Sequence, residues 1–409
     1  MKIGFFLSGS FEVPGPSNHL MEALMLDMLA AGHQVYMIGA CFNPENSGAV
    51  PSDLLEYDAF TYELVPANQV DKSAFIKRYL EYVRFAFASR KSLKKACDCD
   101  ILFSQSSPAA PFKIALARRA MRGKPVVYNV QDMFPGSSIA SGVMTKQWMQ
   151  RLAYALQKIA YTRSSHITVI SYDMKQKLIQ QGVDEEKITV IPNWYDDRSV
   201  HEILWEDNRF AKNYNLSRNK FYVQYAGTIG YVFDYEAFLY VASKLKIRSD
   251  IEFQIVGHGS QLESFKRRAE EKKLNNIVFY PLQDQDMVSD VYSACSVCLI
   301  PLKKNVIGNS VPSKASLLMA CSRPIINSVD PDSYYFEEFN SEHIGISVSN
   351  NDYDALVSAV DRLYKDRSLL LFLGGKAYLY GKEKYARSTG TEKYLQLFSE
   401  LTQKNPKGK

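Results

Sequence analysis

Two glycine-containing loops in the second half of the chain could hold a phosphate group. Tyr225-Ala-Gly-Thr-Ile-Gly230 joins an apolar, strand-like segment to a helical one, and Val256-Gly-His-Gly259 has the same position in the next such unit. Glycines at such a junction let backbone N–H groups approach a phosphate closely. One loop of this kind serves only the turn in many proteins. Two in adjacent units favour a nucleotide pocket, for which the candidates are Gly227, Thr228, Gly230, Gly257 and Gly259.

A third polar loop ends in a lysine at the start of a predicted helix. The segment from Ile307 to Lys314 contains three further polar candidates, Asn309, Ser310 and Ser313. A lysine is unfavourable beside the positive end of a helix dipole unless an anion compensates it. A donor pyrophosphate would do so, which makes Lys314 a candidate phosphate ligand. The alternative is that Lys314 points into solvent.

The elements around these loops predict the fold class. The chain has 409 residues, which is long enough for two α/β domains of ordinary size. Short apolar runs alternate with amphipathic segments from Ile3 onward and again from Phe221, which is typical of βαβ units and parallel sheets. We therefore predict two Rossmann-like, doubly wound domains at 1–192 and 200–383. Such sheets bind ligands at the carboxyl ends of their strands, in a cleft that the two domains face.

Composition favours a cytoplasmic globular protein without a structural metal. No stretch approaches the roughly 20 apolar residues of a membrane-spanning helix, and the first residues lack a signal-peptide cleavage site. Six cysteines without a regular framework are typical of reduced thiols. Cys295 and Cys298 have metal-motif spacing, but they lie in an apolar segment without a second pair. They are better interpreted as small buried residues.

The protein has a formal net charge of +5. Positive charge is concentrated in the first half of the chain. Residues 72–95 contain eight Lys or Arg and one acid, with apolar residues at helical spacing (Phe75, Tyr79, Tyr82, Val83, Phe87). Such a basic amphipathic helix can bind an anionic membrane surface. It can equally pack its aromatic stripe on its own sheet. A second basic region favours the membrane: Arg118, Arg119, Arg122 and Lys124. Nucleic acid is not an expected partner, because no known binding motif accompanies these residues.

The motifs together resemble one enzyme family over essentially the whole chain. They are the two glycine loops, Tyr128-Asn-Val-Gln-Asp132-Met-Phe-Pro135, Val190-Ile-Pro-Asn-Trp194 and Val311-Pro-Ser-Lys314. The chain thus resembles the GT-B glycosyltransferases of family 4, particularly the capsule and O-antigen branch of WbuB-like and WcaI-like enzymes. This resemblance implies retaining transfer of a sugar from a nucleotide-sugar, with UDP the commonest nucleotide, to a polyprenyl-diphosphate-linked saccharide at the inner face of the plasma membrane. It implies no cofactor and no metal.

The resemblance also assigns roles to domains and residues. It places the acceptor in the first domain and the donor in the second, with a final helix at about 384–403 packing back on the first domain. It places Gln131 and Asp132 near the sugar as candidate catalytic residues, although Asp132 is also typical of a turn. The acceptor loop would contain four residues: Gly15, Pro16, Ser17 and Asn18.

Three departures from the family pattern keep two other functions open. Gln131 replaces a frequent histidine, Asn309 and Leu317 replace two frequent glutamates, and Val232–Asp234 lacks a frequent basic residue. One alternative is a GT-B sugar-nucleotide epimerase, although that chemistry requires acid/base groups that these motifs lack. The other is a catalytically degenerate binding subunit of a polysaccharide assembly complex. The missing glutamates favour the second alternative, whereas the glycine loops and Lys314 favour the transferase.

Overall fold

The computed structural model describes residues 1–13, 15, 17–43, 49–70, 74–140 and 142–404. The chain forms two compact units. The first comprises Met1–Pro192 with Gly390–Lys409, and the second comprises Asn193–Thr389. Pro192, where the first unit gives way to the second, is also the predicted end of the first domain. No helix within the described ranges is long and apolar enough to cross a membrane.

The first unit is built on a parallel sheet with crossover helices. In its described residues the strand order is β3-β2-β1-β4-β5-β6-β7. The strands are β1 (Lys2–Phe6), β2 (Gln34–Cys41), β3 (Phe60–Pro66), β4 (Ile101–Gln105), β5 (Val126–Val130), β6 (His166–Val169) and β7 (Ile188–Val190). Parallel neighbours need crossover connections, most of which are helical. The helices are α1 (Asn18–Ala30), α2 (Ser52–Leu55), α3 (Phe75–Ala88), α4 (Arg90–Lys95), α5 (Ala110–Ala120), α6 (Gly136–Ala140), α7 (Gln147–Arg163) and α8 (Tyr172–Gln180). Helix α5 packs between α3 and α7.

The second unit repeats this architecture. Over the part described, its parallel sheet has the strand order β10-β9-β8-β11-β12-β13. The strands are β8 (Phe221–Ala226), β9 (Ile251–Val256), β10 (Ile277–Tyr280), β11 (Val297–Pro301), β12 (Ile325–Val329) and β13 (Gly345–Ser349). The remaining helices are α9 (Arg209–Asn213), α10 (Tyr235–Lys244), α11 (Leu262–Glu271), α12 (Val288–Ser293), α13 (Lys314–Ala320), α14 (Tyr334–Ser341), α15 (Tyr353–Lys365), α16 (Arg367–Lys384) and α17 (Arg387–Gln403).

Apolar side chains alternate between the two faces of the second sheet and form a core on each. Phe253 and Phe265 belong to one core, and Ile300 and Leu318 belong to the other. Both Cys295 and Cys298 are buried in the second core, which confirms their interpretation as small buried residues. Burial on both faces is why these strands are continuously apolar in sequence.

The last helix, α17, completes the core of the first unit. Tyr394 and Phe398 are buried, and their rings contact Phe103 of β4 at centroid distances of 5.6 and 6.2 Å. The hydroxyl of Tyr394 accepts a hydrogen bond of 2.9 Å from the side chain of Asn129 in β5. The resemblance implies a final helix at about 384–403, and α17 spans Arg387–Gln403.

The structure differs in two respects from the single basic helix predicted at 72–95. It is divided at Ser89 into α3 and α4, and Lys72 lies outside the described residues. The packing face of α3 contains Phe85 and Ala86, both buried, rather than the predicted aromatic stripe. Phe87, which the stripe includes, is 38% exposed. The side chain of Phe75 is likewise outside the described part.

Replacing Phe398 tests whether α17 is an integral part of the first unit. Phe398→Ala should lower the free energy of unfolding of that unit by about 3–5 kcal/mol, because it leaves a cavity against Phe103. Denaturant unfolding followed by circular dichroism measures this change. Glu392→Ala, an exposed change in the same helix, should stay within about 0.5 kcal/mol of the wild type. Equal stability of the two variants would contradict the docking of α17.

Candidate functional site

The two glycine loops of the second unit lie in direct contact. A Cβ atom built on Gly257 would lie 2.1 Å from the carbonyl oxygen of Gly227, and one on Gly259 would lie 2.2 Å from that of Ile229. Both glycines also have positive φ angles, 143° and 155°. Only glycine satisfies both constraints, because any other residue would push the backbones apart. The contact requires glycine at both positions.

Backbone hydrogen bonds join the same two loops. The amide of Gly227 donates to Val256 O at 2.8 Å, and that of Ile229 donates to His258 O at 2.8 Å. The N–H groups of Thr228 and Gly230, which alternate with these donors, have no protein acceptor within the described ranges. Free amides at a rigid loop are suitable donors to phosphate oxygens. The arrangement fits the predicted role of this loop.

Lys314 is the cation of this site. A Cβ atom built on Gly227 would lie 2.9 Å from Lys314 Nζ, so the ammonium group sits directly at the loop. Its nitrogen lies 3.4 Å from the centroid of the Tyr225 ring. That ring stacks on Phe233, and its hydroxyl donates to Thr228 O at 2.8 Å. In the residues that the structure describes, Lys314 forms no hydrogen bond or ion pair, and its positive charge is compensated only by the aromatic face.

The surroundings of Lys314 change its acidity. The side chain is half-buried overall, but its charged end lies among Tyr225, Cys298 and the loop backbone. Burial lowers the pKa of Lys314 to about 7, and the Cys298 thiol opposes this shift. A desolvated ammonium without a counterion is costly. A bound anion would restore its charge, which is the chemistry that the sequence predicts for this residue.

The other predicted donor residues differ in what they can do. Asn309 is buried, and its side chain donates to Asn305 O at 2.8 Å, so it stabilises its own loop. Ser313 precedes α13 and is exposed, and Ser310 is half-buried. Gly230 has room for a side chain, since the nearest atom to its Cβ position is 3.7 Å away.

Asp234 explains one departure from the family pattern. Its carboxylate caps α10 by accepting a hydrogen bond from Ala237 N at 3.2 Å, and it accepts a second from the hydroxyl of Tyr353 at 2.9 Å. The N-terminus of α10 therefore already has an anion beside it. The position where relatives often have a basic residue serves the fold in this chain.

A separate cavity of about 510 Å³ opens in the first unit. Parallel sheets of this type bind ligands beyond the carboxyl ends of their strands, and the residues that follow β1, β2 and β4 line this cavity. Its walls are mainly hydroxyl and amide groups with a few aromatic rings. The polar, charged and aromatic residues are Ser8, Ser10, Ser17, Asn18, Phe42, Asn68, Gln69, Arg78, Glu81, Tyr82, Phe85, Gln105, Ser106, Ser107, Asp132, Phe134, Ser137 and Ser138.

The predicted acceptor loop forms part of this cavity. Gly15, Ser17 and Asn18 line it, whereas Pro16 lies outside the described residues. The amide of Asn18 donates to Ser10 O and Val13 O at 3.0 and 3.1 Å, so Asn18 holds the loop closed. Ser17 Oγ accepts a 2.8 Å bond from Gln105. These bonds fix the loop before any ligand arrives.

Asp132 and Gln131 occupy different surroundings. Asp132 lines the cavity, and although its side chain keeps access to solvent, loss of hydration raises the pKa of its carboxyl group. Gln131 donates its side-chain amide to Asn129 Oδ1 at 2.9 Å. Asn129 in turn donates to Tyr394 of α17. The amide of Gln131 is thus directed into the protein, and Asp132 is the member of the pair that reaches the cavity.

Lys113 is a site-forming residue that the sequence analysis did not single out. It is 1% exposed, and its Nζ donates to Phe6 O, Ser8 Oγ and Gln105 O at 3.0, 2.5 and 3.0 Å. Burial lowers its pKa well below the ordinary value. It joins the ends of β1 and β4, where the cavity begins. Its signal in sequence is a lysine in α5 placed one helical turn after Ala109, which caps the helix, and one turn before Ala117.

Comparison with known families identifies the class of protein. Residues 18–199 match the model of Glycosyltransferase Family 4, and residues 206–380 match that of Glycosyl transferases group 1. The chain belongs to the GT-B glycosyltransferases. Among curated relatives of this glycosyltransferase, WbjE of Pseudomonas aeruginosa, named a probable glycosyltransferase, is 26% identical over 79% of this chain and 80% of its own length. WcaI of Escherichia coli (strain K12), named as a glycosyl transferase of colanic acid biosynthesis, is 26% identical over 49% of this chain and 50% of its own length.

Solved structures agree on the fold of this glycosyltransferase. Sucrose-phosphate synthase from Thermosynechococcus elongatus superposes with a TM-score of 0.74 at 15% identity, covering 98% of each chain. Anabaena HepE in complex with UDP and glucose gives a TM-score of 0.72 at 15% identity, covering 98% of this chain and all of its own. At such identities the likeness shows the fold alone. It confirms the predicted GT-B architecture of two Rossmann-like domains.

Substitution of the glycines tests the contact between the two loops. Gly257→Ala should lower the free energy of unfolding by about 1–3 kcal/mol and weaken nucleotide binding, because its Cβ would displace the Gly227 carbonyl. The matched control is Gly230→Ala, whose Cβ has room and which should unfold within about 1 kcal/mol of the wild type. Thermal and denaturant unfolding measure both variants. The loop contact would be refuted by a Gly257→Ala variant as stable as the wild type.

Proposed function

We propose that this glycosyltransferase transfers a sugar, with retention of anomeric configuration, from a UDP-sugar to a lipid-linked saccharide during assembly of a bacterial surface polysaccharide. The observation that supports the donor site best is Lys314: a desolvated ammonium group, without a protein anion among the described residues, set against a loop with free amides. In this proposal the second unit binds the donor and the first unit binds the acceptor.

The donor pyrophosphate is proposed to lie between Lys314 and the Gly227–Gly230 loop. Lys314 would pair with a phosphate oxygen, and the amides of Thr228 and Gly230 would donate hydrogen bonds to its neighbours. UDP is proposed as the nucleotide because it is the commonest donor nucleotide among similar enzymes, and because HepE, which shares the fold, was crystallised with UDP-glucose. The identity of the base and of the sugar is part of the test below.

The proposed chemistry is front-face substitution at the anomeric carbon. The bond from the anomeric carbon to the β-phosphate oxygen breaks, and the acceptor hydroxyl oxygen forms the new bond on the same face. The acceptor proton passes to the departing phosphate, which acts as the base. Charge grows on that phosphate as the bond breaks, so a fixed lysine and fixed amides stabilise the transition state. We propose that Lys314 and these amides suffice without a metal ion.

The acceptor is proposed to bind in the cavity of the first unit. Its hydroxyl and amide walls and its aromatic rings suit a saccharide, whose ring offers hydroxyl groups on its edge and C–H groups on its faces. Asp132, with its raised pKa, would hydrogen-bond a sugar hydroxyl at the cavity wall. The polar chain from Gln131 through Asn129 to Tyr394 would hold this wall in place.

A lipid-linked acceptor requires access to a membrane surface. In α3, Ile76 and Leu80 are 65% and 59% exposed beside the exposed Lys77, whereas Arg84 is paired with Glu81. This pattern supports binding of α3 and α4 to anionic lipid from the cytoplasmic side. Part of the second basic region serves the fold instead, because Arg118 donates to Lys124 O and Lys124 donates to Cys97 O. Arg119 and Arg122 stay exposed.

A nucleotide-sugar-binding subunit without transferase activity is the second candidate. It is favoured by Asn309, which stabilises its own loop, and by Leu317, which packs against the second core. Neither supplies the carboxylate that relatives often have. Release of UDP from UDP-sugars in the presence of membranes separates the candidates, since a degenerate subunit would bind the donor and leave it intact.

Removal of the Lys314 charge tests the donor site. By calorimetry with UDP, GDP, ADP and TDP in the presence of EDTA, one nucleotide should bind selectively. Lys314→Ala should weaken that binding by about 10- to 100-fold, since a charge-assisted hydrogen bond contributes roughly 1.5–3 kcal/mol. Lys304→Ala, an exposed lysine on the same loop, should leave it unchanged. Unaltered affinity in Lys314→Ala would reject the phosphate role, and failure of all four nucleotides would reject the transferase. Binding that EDTA abolishes would reject metal independence.

The pKa of Lys314 predicts how donor affinity depends on pH. The anion binds the protonated lysine, so its binding must raise the Lys314 pKa above the value of about 7 in the free protein. The affinity for the nucleotide should therefore be highest below pH 7, where Lys314 is protonated. It should decrease by up to about tenfold per pH unit as the pH rises above 7. Lys314→Arg stays charged throughout, so the ratio of the two affinities removes the titration of the nucleotide itself. A ratio that is constant from pH 6.5 to about 9 would contradict the shifted pKa.

A further inference from the structure

Helix α7 presents an apolar stripe to solvent in addition to its packing face. Trp148, Leu152 and Ile159 are 64%, 53% and 37% exposed, and exposed Ala155 lies between them. Spacings of four, three and four residues place all four on one side of a helix. The stripe is therefore continuous along most of α7.

The opposite side of α7 already provides its attachment to the sheet. Ala160 and Tyr161 are buried, and Gln157 donates a 2.7 Å hydrogen bond to the hydroxyl of Tyr128 in β5. The outer stripe thus lies on the side of α7 opposite to these buried residues. Large apolar side chains grouped on a surface mark an interaction site more often than isolated ones do.

The same pattern occurs on α3. Ile76, Leu80, Val83 and Phe87 have the identical spacing of four, three and four, and the first two are the most exposed. Helix α5 packs between α3 and α7, and its Phe112 contacts Phe87 at a ring distance of 5.8 Å. The three helices therefore pack side by side in one layer, and the most exposed residues of both stripes face solvent.

The positive charge around the α7 stripe indicates an anionic partner. Residues 101–172 contain nine Lys or Arg and a single acid, Asp132. Lys146, Arg151, Lys158 and Arg163 flank the stripe, and among the described residues none of them is in an ion pair. A stripe of Trp, Leu and Ile bordered by unpaired cations complements an anionic bilayer, which accepts apolar side chains below its charged headgroups. Tryptophan in particular is enriched at that interface.

We propose that the outer stripe of α7 inserts Trp148, Leu152 and Ile159 into the interfacial region of an anionic bilayer, as a second anchor beside α3. The inference rests on the proposed membrane-linked acceptor and specifies which residues enter the lipid. Anchoring by both α3 and α7 would fix the orientation of the first unit on the membrane. Anchoring by α3 alone would leave the unit free to rotate about the axis of α3.

Fluorescence of Trp148 tests the insertion directly. The other two tryptophans are Trp194, which is buried, and Trp205, which is partly buried, so Trp148 is the exposed reporter. On adding vesicles of phosphatidylglycerol and phosphatidylcholine in equal amounts, the emission should shift to shorter wavelength and be quenched by brominated lipid. Trp148→Phe should remove both changes. Leu152→Ser/Ile159→Ser, which keeps the reporter, should bind these vesicles at least about tenfold more weakly.

A matched double variant controls for the loss of surface apolarity. Leu204→Ser/Ile247→Ser makes the same two replacements at residues of the second unit that are 68% and 93% exposed, and it should bind vesicles like the wild type. Vesicle binding without quenching of Trp148, equal binding by the two double variants, or no binding of the wild type to anionic vesicles would each overturn the proposal. Calorimetry with UDP on the same variants separates this result from a failure of the donor site.

Discussion

The proposed donor site in the second unit depends on an ammonium group that meets no protein anion among the residues that the structure describes. Lys314 rests on the Tyr225 ring and against Gly227, and the second glycine loop fixes that position because Gly257 and Gly259 allow the two backbones to touch. Burial without an anion costs free energy, which the surrounding cores offset through Phe233, Phe265 and their neighbours. A ligand with phosphate groups would remove that cost, so the site is organised for an anion before one binds.

The first unit achieves the same rigidity with hydrogen bonds. Lys113 ties the ends of β1 and β4 together beside the cavity, and Tyr394 of the last helix supports the buried Asn129 in β5. These are buried polar contacts between residues far apart in sequence, and such contacts specify one arrangement when all partners are satisfied. The cavity is thus shaped by the core, and its loops only complete it.

Much of this could be predicted from sequence, for identifiable physical reasons. Strand β5 coincides with the mainly apolar run Val126–Val130, as expected for a central parallel strand that is buried on both faces. Edge strands β3 and β13 are harder to recognise in the sequence, because exposed Thr61 and partly buried Ser349 interrupt their apolar pattern. The glycine loops and Lys314 were predictable from local motifs. Lys113 and the bond from Asn129 to Tyr394 were not, because they depend on tertiary contacts that leave no local periodicity. The outward stripe of α7 has the same period as a packed face and needs the structure to tell them apart.

The central claim, that a nucleotide diphosphate pairs with Lys314, is tested most directly by nuclear magnetic resonance of lysine labelled with ¹³C at Cε. The account predicts one lysine signal, missing in Lys314→Arg, that titrates near pH 7 in the free protein and at a distinctly higher pH when the selected nucleotide is saturating. A Lys314 signal whose titration is the same with and without nucleotide would contradict the account, because an anion in contact with this ammonium group must favour its charged form.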